Sequence, residues 1–343
     1  MQITWRKIGE VPKITNYENA DGVNSFLYGV IDKKIIIAGG ANFPNDLTPD
    51  KGGSRVIHKD IYLLEIKNNN FKVLEQKTLP YSLANCASFS YEDAIYCVAT
   101  INNTGKILKI TLANYKTKIE ELFTLDFKFQ NGFCVVKNKK LYFGLGSFDG
   151  ENTNDIYVFD LTLKTLEHFL KVDCTKRNNC VVSLLGDELF IFGGASNVVY
   201  TDALKINILD KTQTKISDIE IDNEKISVLG GASVNLDNDE IFILGGFNKE
   251  IFDFAVKNLT TLKDEELLNF KKQYFSKDIS YFKWHKNPLI YNKKTNSFRA
   301  LEEVPFNSPC GAGTLKIDNE IFVIMGEVKP GKRTPNVYQG VIK

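Results

Sequence analysis

Short apolar runs alternate with polar pairs along the whole chain. Six of these runs share a pattern. A shorter apolar run and a polar pair precede each of them, and most of them end in glycine. They span residues 35–40, 95–100, 141–146, 189–194, 241–246 and 321–326. Runs this short, bounded by glycine and polar turns, predict β-strands. After most of them an Asp opens a further apolar strand, as in Lys59-Asp60-Ile61-Tyr62.

The pattern repeats at a spacing of about 50 residues, with four short strands in each copy and a glycine pair closing the second strand. The second copy departs from it, since Ala99-Thr100 replaces the glycine pair, but it keeps the spacing. This repeat is typical of kelch β-propellers. The sequence therefore predicts an all-β fold, a six-bladed kelch-type β-propeller that forms a single domain over residues 1–343.

The two ends of the chain predict how the ring closes. The last copy supplies three strands and the chain then ends, whereas the N-terminal WRKIGEVP matches FRALEEVP at residues 298–305, the fourth strand of the fifth copy. We expect residues 1–12 to form the outer strand of the sixth blade, which removes the exposed edge of an open arc.

Two copies carry insertions. The first is the loop of residues 41–57, and the second lies in the fifth copy at about residues 253–284. Within the second, residues 262–275 place Leu267, Phe270 and Tyr274 on one helical face and begin with the acidic run of residues 264–266. This pattern predicts one short amphipathic helix in the fifth blade.

The propeller topology predicts which loops meet. Residues just past each glycine pair share a face of the disc with residues that open the inner strands; the first set is Ala41, Ser147, Ala195, Phe247 and Glu327, and only Glu327 is ionisable. The second set contains Asn85, Asn131 and Asn179, aligned with Ser25, Gly231 and Gly311. The three asparagines could bind a substrate with their amides or simply cap the turn into each strand.

The stretch around Glu327 and Arg333 holds the strongest candidate chemistry. A turn, Lys329-Pro330-Gly331-Lys332, has the Pro and Gly of a type II turn and should place Val328 opposite Arg333. The carboxylate of Glu327 would then face the guanidinium of Arg333, so that a base and an anion clamp are neighbours. Both are predicted to be catalytic residues.

Other candidates for substrate binding follow from residue type. The chain has five arginines against 38 lysines, and arginine at a loop facing the channel favours two-pronged binding of an anion. On this basis Arg177, in the loop before Asn179, is a candidate, as is Arg55 in the first long loop. His58 could rim the site from the same loop or merely begin an outer strand.

Composition narrows the alternatives. A net charge of +1 and the lack of basic runs interleaved with aromatics argue against nucleic acid, and no apolar run approaches the roughly 18 residues of a membrane span. As written, the chain has no export signal and is expected to be cytoplasmic; a removed signal would make it periplasmic. The cysteines show no CxxC spacing, and His58, His168 and His285 are scattered, so we expect free thiols, no metal and no cofactor. A kelch copper oxidase is therefore disfavoured, as is a sialidase, because no Asp-box repeat is present.

Three segments resemble the N-acetylneuraminate epimerase family, the sialic acid mutarotases. They are GEVKPGKRT near the C-terminus, AGGANFP followed by HKDIY near the N-terminus, and GGFNKEIF before the helical insertion. The similarity covers nearly the whole chain in rotated order, so the sequence resembles a cyclically permuted branch. The resemblance implies that Glu327 is the catalytic acid and base and that Arg333 binds the sugar carboxylate.

The resemblance predicts an isomerase that exchanges the α and β anomers of sialic acid by opening and closing the sugar ring. Its partner would be a small acidic sugar. The alternative is a kelch module that binds a protein or a glycan without chemistry. The enzyme is favoured because both insertions come from blades that adjoin the sixth, and so would flank Glu327.

Overall fold

The computed structural model describes residues 1–19, 21–67 and 70–343 of the chain. Six four-stranded antiparallel sheets follow one another along these residues. The strands of the first three, from the inner to the outer strand of each sheet, are Leu27–Ile31, Lys34–Ala38, Asp60–Lys67 and Asn70–Thr78; Ala87–Tyr91, Ala94–Ile101, Thr104–Ala113 and Lys116–Thr124; Phe133–Lys137, Lys140–Gly144, Asp155–Asp160 and Leu166–Lys171.

The other three sheets follow the same order. Their strands are Val181–Leu185, Glu188–Phe192, Ala203–Asn207 and Gln213–Ile216; Ala232–Asn235, Glu240–Leu244, Leu289–Asn292 and Ser297–Ala300; Gly313–Ile317, Glu320–Ile324, Asn336–Ile342 and Ile3–Glu10. The fourth strand of the sixth sheet is the N-terminal one, as predicted. It pairs with the last strand from Ile3 opposite Ile342 to Glu10 opposite Asn336, with a bulge between Lys7 and Gly9.

The second strand of each sheet is almost wholly buried, because a neighbouring sheet covers each of its faces. Ile36 of the first sheet packs in one apolar cluster with Ile95 of the second, and Ile35 packs on its other side with Phe322 of the sixth. Each fully buried Ile or Phe side chain contributes about 1.5–3 kcal/mol. Similar clusters join the remaining neighbouring sheets. The architecture is all-β and consistent with a β-propeller.

Smaller hairpins project from the loops. Their strands are Ala41–Asn42 with Val56–Ile57; Phe129–Gln130, Ser147–Phe148 and Glu151–Asn152; Glu220–Ile221 with Glu224–Lys225; and Glu327–Lys329 with Lys332–Arg333. The first long loop also contains two 3-10 turns, Pro44–Asp46 and Pro49–Lys51.

The described residues hold two α-helices, both in the insertion of the fifth sheet. Helix α1 spans Lys249–Thr261, helix α2 spans Asp264–Ser276, and the 3-10 turn Ile279–Phe282 follows. The predicted helix over residues 262–275 is α2, but α1 was not predicted and the insertion begins earlier than residue 253. Asn248 starts α1, since its side chain accepts a hydrogen bond from the backbone N–H of Ile251.

No helix in the described part of the chain is long and apolar enough to cross a membrane.

Candidate active site

The hairpin of Glu327–Lys329 and Lys332–Arg333 carries the two predicted catalytic residues. Glu327 pairs directly with Arg333, and a bulge at Val328 shifts the register before Lys329 pairs with Lys332. The prediction that Val328 lies opposite Arg333 was therefore wrong by one residue, because a bulge places an extra residue on one strand. Gly331 has φ +86°, which a type II turn requires at its third position. Directly paired residues share a face, so both functional side chains project to the same side.

The Glu327 carboxylate is held by three groups. Its Oε1 accepts a hydrogen bond of 2.9 Å from the Gly331 backbone N–H and lies 3.1 Å from Arg333 Nη1. Its Oε2 accepts a bond of 3.2 Å from the side-chain amide of Asn24. With 13% of its side chain exposed, Glu327 is fixed in one orientation while part of it still reaches solvent.

Arg333 is a buried cation whose hydrogen-bonding capacity is not filled. Only 4% of its side chain is exposed, and the guanidinium carbon lies 5.0 Å from the ring centre of Phe43. Its Nη2 donates weakly to Asn24 Oδ1 at 3.4 Å. Within the described residues, the buried Nε and Nη1 have no hydrogen-bond acceptor, although Glu327 Oε1 lies 3.1 Å from Nη1. Burial lowers the pKa of Arg333 and the Glu327 charge raises it. Unsatisfied buried donors are costly, so an anion would be stabilised here.

Both predicted insertions pack against this hairpin. Thr48 of the first long loop and Phe275 of α2 flank Gly331. Lys329 Nζ donates to the carbonyls of Phe275 and Lys277 at 2.9 and 2.6 Å, which anchors the C-terminal end of α2. The expectation that the two insertions flank Glu327 is confirmed.

Two residues of this site were not predicted. Asn24 contacts both Glu327 and Arg333, as described above. Tyr274, on the buried face of α2, has its pKa raised by burial and further by the negative charge of Glu327, so the two lie near each other. The sequence identified Tyr274 only as one residue on the apolar face of a helix, and no sequence motif indicated Asn24.

Arg55 and Asn85, two predicted substrate-binding residues, form a pair. Arg55 Nη2 donates to Asn85 Oδ1 at 2.8 Å. Part of the Arg55 side chain is withdrawn from water, which lowers its pKa; the charge of Arg333 lowers the pKa further, and Glu327 raises it. Arg55 thus lies close enough to the buried pair to sense both charges. Its side chain remains exposed and can contact a bound molecule.

The asparagines that open the inner strands have a backbone role. Asn85, Asn131 and Asn179 have φ of 55°, 56° and 51°, a left-handed conformation that Asn and Gly tolerate best. The backbone N–H of Asn179 donates to the carbonyl of Asn131, that of Asn131 to Asn85, and that of Asn85 to Ser25. The series continues from Ser25 to Gly311 and from Gly311 to Gly230. The structure thus favours the turn role for these residues. Gly230, not Gly231, is the equivalent glycine, with φ +74°.

The fork of Arg177 is filled by its own protein. Its Nη1 and Nη2 donate to the two carboxylate oxygens of Asp202 at 2.5 and 3.0 Å, its Nε donates to the Thr175 carbonyl, and its guanidinium stacks on Tyr200. Burial opposes the charge, but Asp202 outweighs it and raises the pKa of Arg177. Only 3% of the side chain is exposed. The structure therefore does not bring Arg177 to Glu327, and the geometry favours a structural role.

His58 is also buried. Its Nε2 lies 2.7 Å from Asn42 Oδ1, and its ring packs edge-on against Tyr17. Burial lowers the pKa of His58, with Asp60 opposing. Neither contact belongs to the site around Glu327, so His58 instead fastens the base of the first long loop.

The inner strands enclose a central channel of about 410 Å³, lined in part by Ser25 and Gly311. Glu327 and Arg333 do not line this cavity, but residues that contact them adjoin its lining. Glu327 and Cys310 exchange two backbone hydrogen bonds of 2.8 Å, and Asn24 and Ala41 form a similar isolated β-bridge. Ser25 and Gly311 are the next residues after Asn24 and Cys310. A small molecule at the mouth of the channel would therefore meet the carboxylate and the guanidinium together.

Within residues 1–19, 21–67 and 70–343, no three His, Cys, Asp or Glu side chains cluster in a way that could hold a metal ion.

Comparison with known proteins finds one family. The family model for N-acetylneuraminate epimerase matches residues 124–343, a span that contains Glu327 and Arg333. The N-acetylneuraminate epimerase of Vibrio cholerae is 27% identical over 221 residues, which are 62% of this chain and 56% of that protein. That of Salmonella enteritidis is 27% identical over 242 residues, 68% of this chain and 60% of that protein. The chain thus matches less than two thirds of the length of these relatives.

A solved structure titled "Structure of YjhT" is similar in fold. The TM-score is 0.55 at 22% sequence identity, and the alignment covers 62% of each chain. At this identity the similarity supports the fold alone.

Proposed function

Because this chain belongs to the N-acetylneuraminate epimerase family, we propose that it interconverts the α and β anomers of N-acetylneuraminate by acid–base ring opening. The observation that carries the proposal is the buried pair of Glu327 and Arg333, in which a fixed carboxylate adjoins a guanidinium with unfilled donors. Ring opening of an acidic sugar requires a base, and binding of its carboxylate requires a site for an anion. This pair offers both in one small volume. Glu327 is the catalytic residue in this proposal, and Arg333 binds the substrate.

The reaction needs one proton to move between two oxygens of the sugar. The anomeric hydroxyl loses its proton, the bond from the anomeric carbon to the ring oxygen breaks, and the ring oxygen gains a proton as the open keto form appears. Rotation about the adjacent carbon–carbon bond and reclosure then give the other anomer. A single positioned carboxylate, Glu327, can accept the first proton and deliver the second, which accelerates such a step by roughly 10²- to 10⁴-fold.

Arg333 orients the substrate in this proposal. The sugar carboxylate would accept from this guanidinium, whose Nε and Nη1 find no hydrogen-bond acceptor in the part of the chain that the structure describes. Arginine presents such donors in a planar fork that matches a carboxylate, and lysine cannot copy this geometry. Arg55 would add a second positive charge at the rim, held in place by Asn85. The substrate would thereby place its anomeric centre, which bears the carboxylate, beside Glu327.

We further propose that the six sheets are the blades of one closed propeller spanning residues 1–343. Support comes from apolar clusters that join each sheet to the next and the sixth to the first. The N-terminal strand supports it too, because Trp5 packs edge-on against Phe306 at 5.4 Å while its backbone pairs with the last strand. Ring closure would hold the hairpin of Glu327 between the insertions of the first and fifth blades.

Deleting residues 1–12 tests this closure. The deletion removes the outer strand of the sixth sheet together with Trp5 and the buried Ile8 and Val11. We expect the thermal midpoint to fall by roughly 10 °C or more, because several kilocalories of burial and one strand pairing are lost. Circular dichroism during a thermal scan measures this. An unchanged midpoint would contradict the closing role of the strand.

Chelation tests the metal-free mechanism. Proton transfer by Glu327 needs no Lewis acid, so an excess of EDTA should leave the anomer-exchange rate unchanged. The measurement is the exchange rate before and after dialysis against the chelator. Loss of activity that a divalent ion restores would contradict the proposed chemistry.

Anomer exchange followed by NMR tests the function itself. The exchange rate should rise in proportion to protein concentration. A protein that binds the sugar without raising the rate would be a binding module and not an isomerase.

A further inference from the structure

Asn24 joins the two halves of the site through one side chain. It lies before the first sheet, in a backbone bridge with Ala41 whose two hydrogen bonds are both 3.0 Å. Its side chain is 8% exposed and reaches the hairpin of Glu327 and Arg333, more than 300 residues away in the chain. Because the bridge uses only backbone atoms, the side chain is not needed to hold Asn24 in position.

The amide can satisfy both partners in only one orientation. Its Nδ2 donates to Glu327 Oε2 at 3.2 Å, and its Oδ1 accepts from Arg333 Nη2 at 3.4 Å. In the flipped orientation an amide oxygen would face a carboxylate and an NH₂ group would face a guanidinium, and both contacts would be repulsive. The carboxylate and the guanidinium therefore fix the amide, and the amide in turn fixes the distance and angle between them.

The partners of Glu327 also distinguish its two oxygens. Oε1 lies against two groups, the Gly331 N–H and Arg333 Nη1, whereas Oε2 has Asn24 as its one hydrogen-bond partner among the described residues. A carboxylate oxygen has two lone pairs. Oε2 thus retains a lone pair for a further donor, and the bond to Asn24 sets its direction.

We propose that Asn24 is a positioning residue that aims Glu327 Oε2 at the sugar, and that Oε2 is the oxygen that exchanges the proton. This inference rests on the proposed function of the Glu327 site. Asn24 acts through Glu327 and need not touch the reacting atoms. A misdirected base lowers the rate of proton transfer strongly even when binding is intact, because reaction requires close alignment.

Asn178 offers a matched control in the same fold. It forms the same backbone bridge, with Ala195, and it also precedes a left-handed residue that opens an inner strand. Its amide, however, donates to Asn152 and accepts from Asn179, and both of these partners are neutral side-chain amides. Replacing Asn178 reports the cost of losing a bridging asparagine without any effect on the base.

The test compares Asn24→Ala, Asn24→Asp and Asn178→Ala with the wild-type chain. The measurements are kcat and KM for N-acetylneuraminate anomer exchange at pH 8, with thermal midpoints as a check of folding. We expect Asn24→Ala to lower kcat by roughly 10- to 100-fold with less than about a threefold change in KM, while Asn178→Ala keeps the wild-type kcat. Asn24→Asp keeps the shape but has no N–H to donate and repels Glu327, so kcat should fall at least as far.

Two results would overturn the inference. One is a wild-type kcat in Asn24→Asp, because shape alone would then suffice; the other is equal loss of kcat in Asn24→Ala and Asn178→Ala. Asn24→Asp is close in volume to asparagine, so it serves as the test if Asn24→Ala does not fold. A wild-type chain that fails to exchange anomers at all is a different result, since it would reject the proposed function and not the geometry of Asn24.

Discussion

Replacing Glu327 by glutamine should lower kcat for anomer exchange by roughly 10²-fold or more while leaving sugar affinity nearly unchanged. The glutamine oxygen can still accept the Gly331 N–H, so the hairpin keeps its turn. The amide has no basic lone pair for the anomeric proton, which removes general base catalysis and little else. Arg333 keeps its buried donors in this variant, so the sugar carboxylate retains its binding site. The measurements are kcat from the NMR exchange rate and Kd from calorimetric titration.

The control for this variant is Glu303→Gln, because Glu303 is an exposed carboxylate. It should exchange anomers at the wild-type rate. If Glu327→Gln also keeps the wild-type kcat, then the pair with Arg333 is only a structural ion pair and the active site lies elsewhere.

Replacing Arg333 by lysine should weaken binding of the acidic sugar by about 1–3 kcal/mol, which is roughly a 5- to 150-fold rise in Kd. Lysine keeps the positive charge but presents a point charge where Arg333 offers a planar guanidinium with buried donors. It also loses the stacking of the guanidinium on Phe43. A neutral hexose has no carboxylate for the fork and should bind equally to both proteins.

Arg177→Lys is the contrasting variant, because Arg177 is as buried as Arg333 but its fork is filled by Asp202. We expect it to lower the thermal midpoint and to leave the affinity for the sugar unchanged. If Arg333→Lys binds the sugar as tightly as wild type, or if the affinity for a neutral hexose falls equally, Arg333 does not bind the carboxylate.

The strands and their order could be predicted from sequence because the signal is repeated. Five of the six sheets show the same short apolar run closed by glycine, so one degenerate copy with Ala99 and Thr100 did not hide the pattern. The pairing of the N-terminal strand could be predicted from its similarity to the strand after residue 297. The Glu327 hairpin could be predicted from its local sequence, because Pro330 and Gly331 specify the turn.

Contacts between segments far apart in the chain could not be predicted from the sequence. Asn24 reaches Glu327 only because the first and sixth sheets pack together, and no local pattern distinguishes it from Asn178. Arg177 was a candidate because it is an arginine in a loop expected to face the channel, and its partner Asp202 belongs to another loop. The bulge at Val328 moved the register by one residue, because bulges depend on packing and not on turn chemistry. Helix α1 was missed because its cap, Asn248, directly follows a strand-closing segment.

The central claim is that Glu327 catalyses ring opening of an acidic sugar held by Arg333. The most direct measurement follows freshly released α-N-acetylneuraminate by proton NMR, with the wild-type chain, with Glu327→Gln at equal concentration, and in buffer alone. We expect the wild-type chain to bring the anomers to equilibrium at a rate proportional to its concentration, and Glu327→Gln to retain only about 1% of the wild-type acceleration over buffer, as a loss of roughly 10²-fold implies. Equal rates in all three samples, or equal acceleration by both proteins, would contradict it.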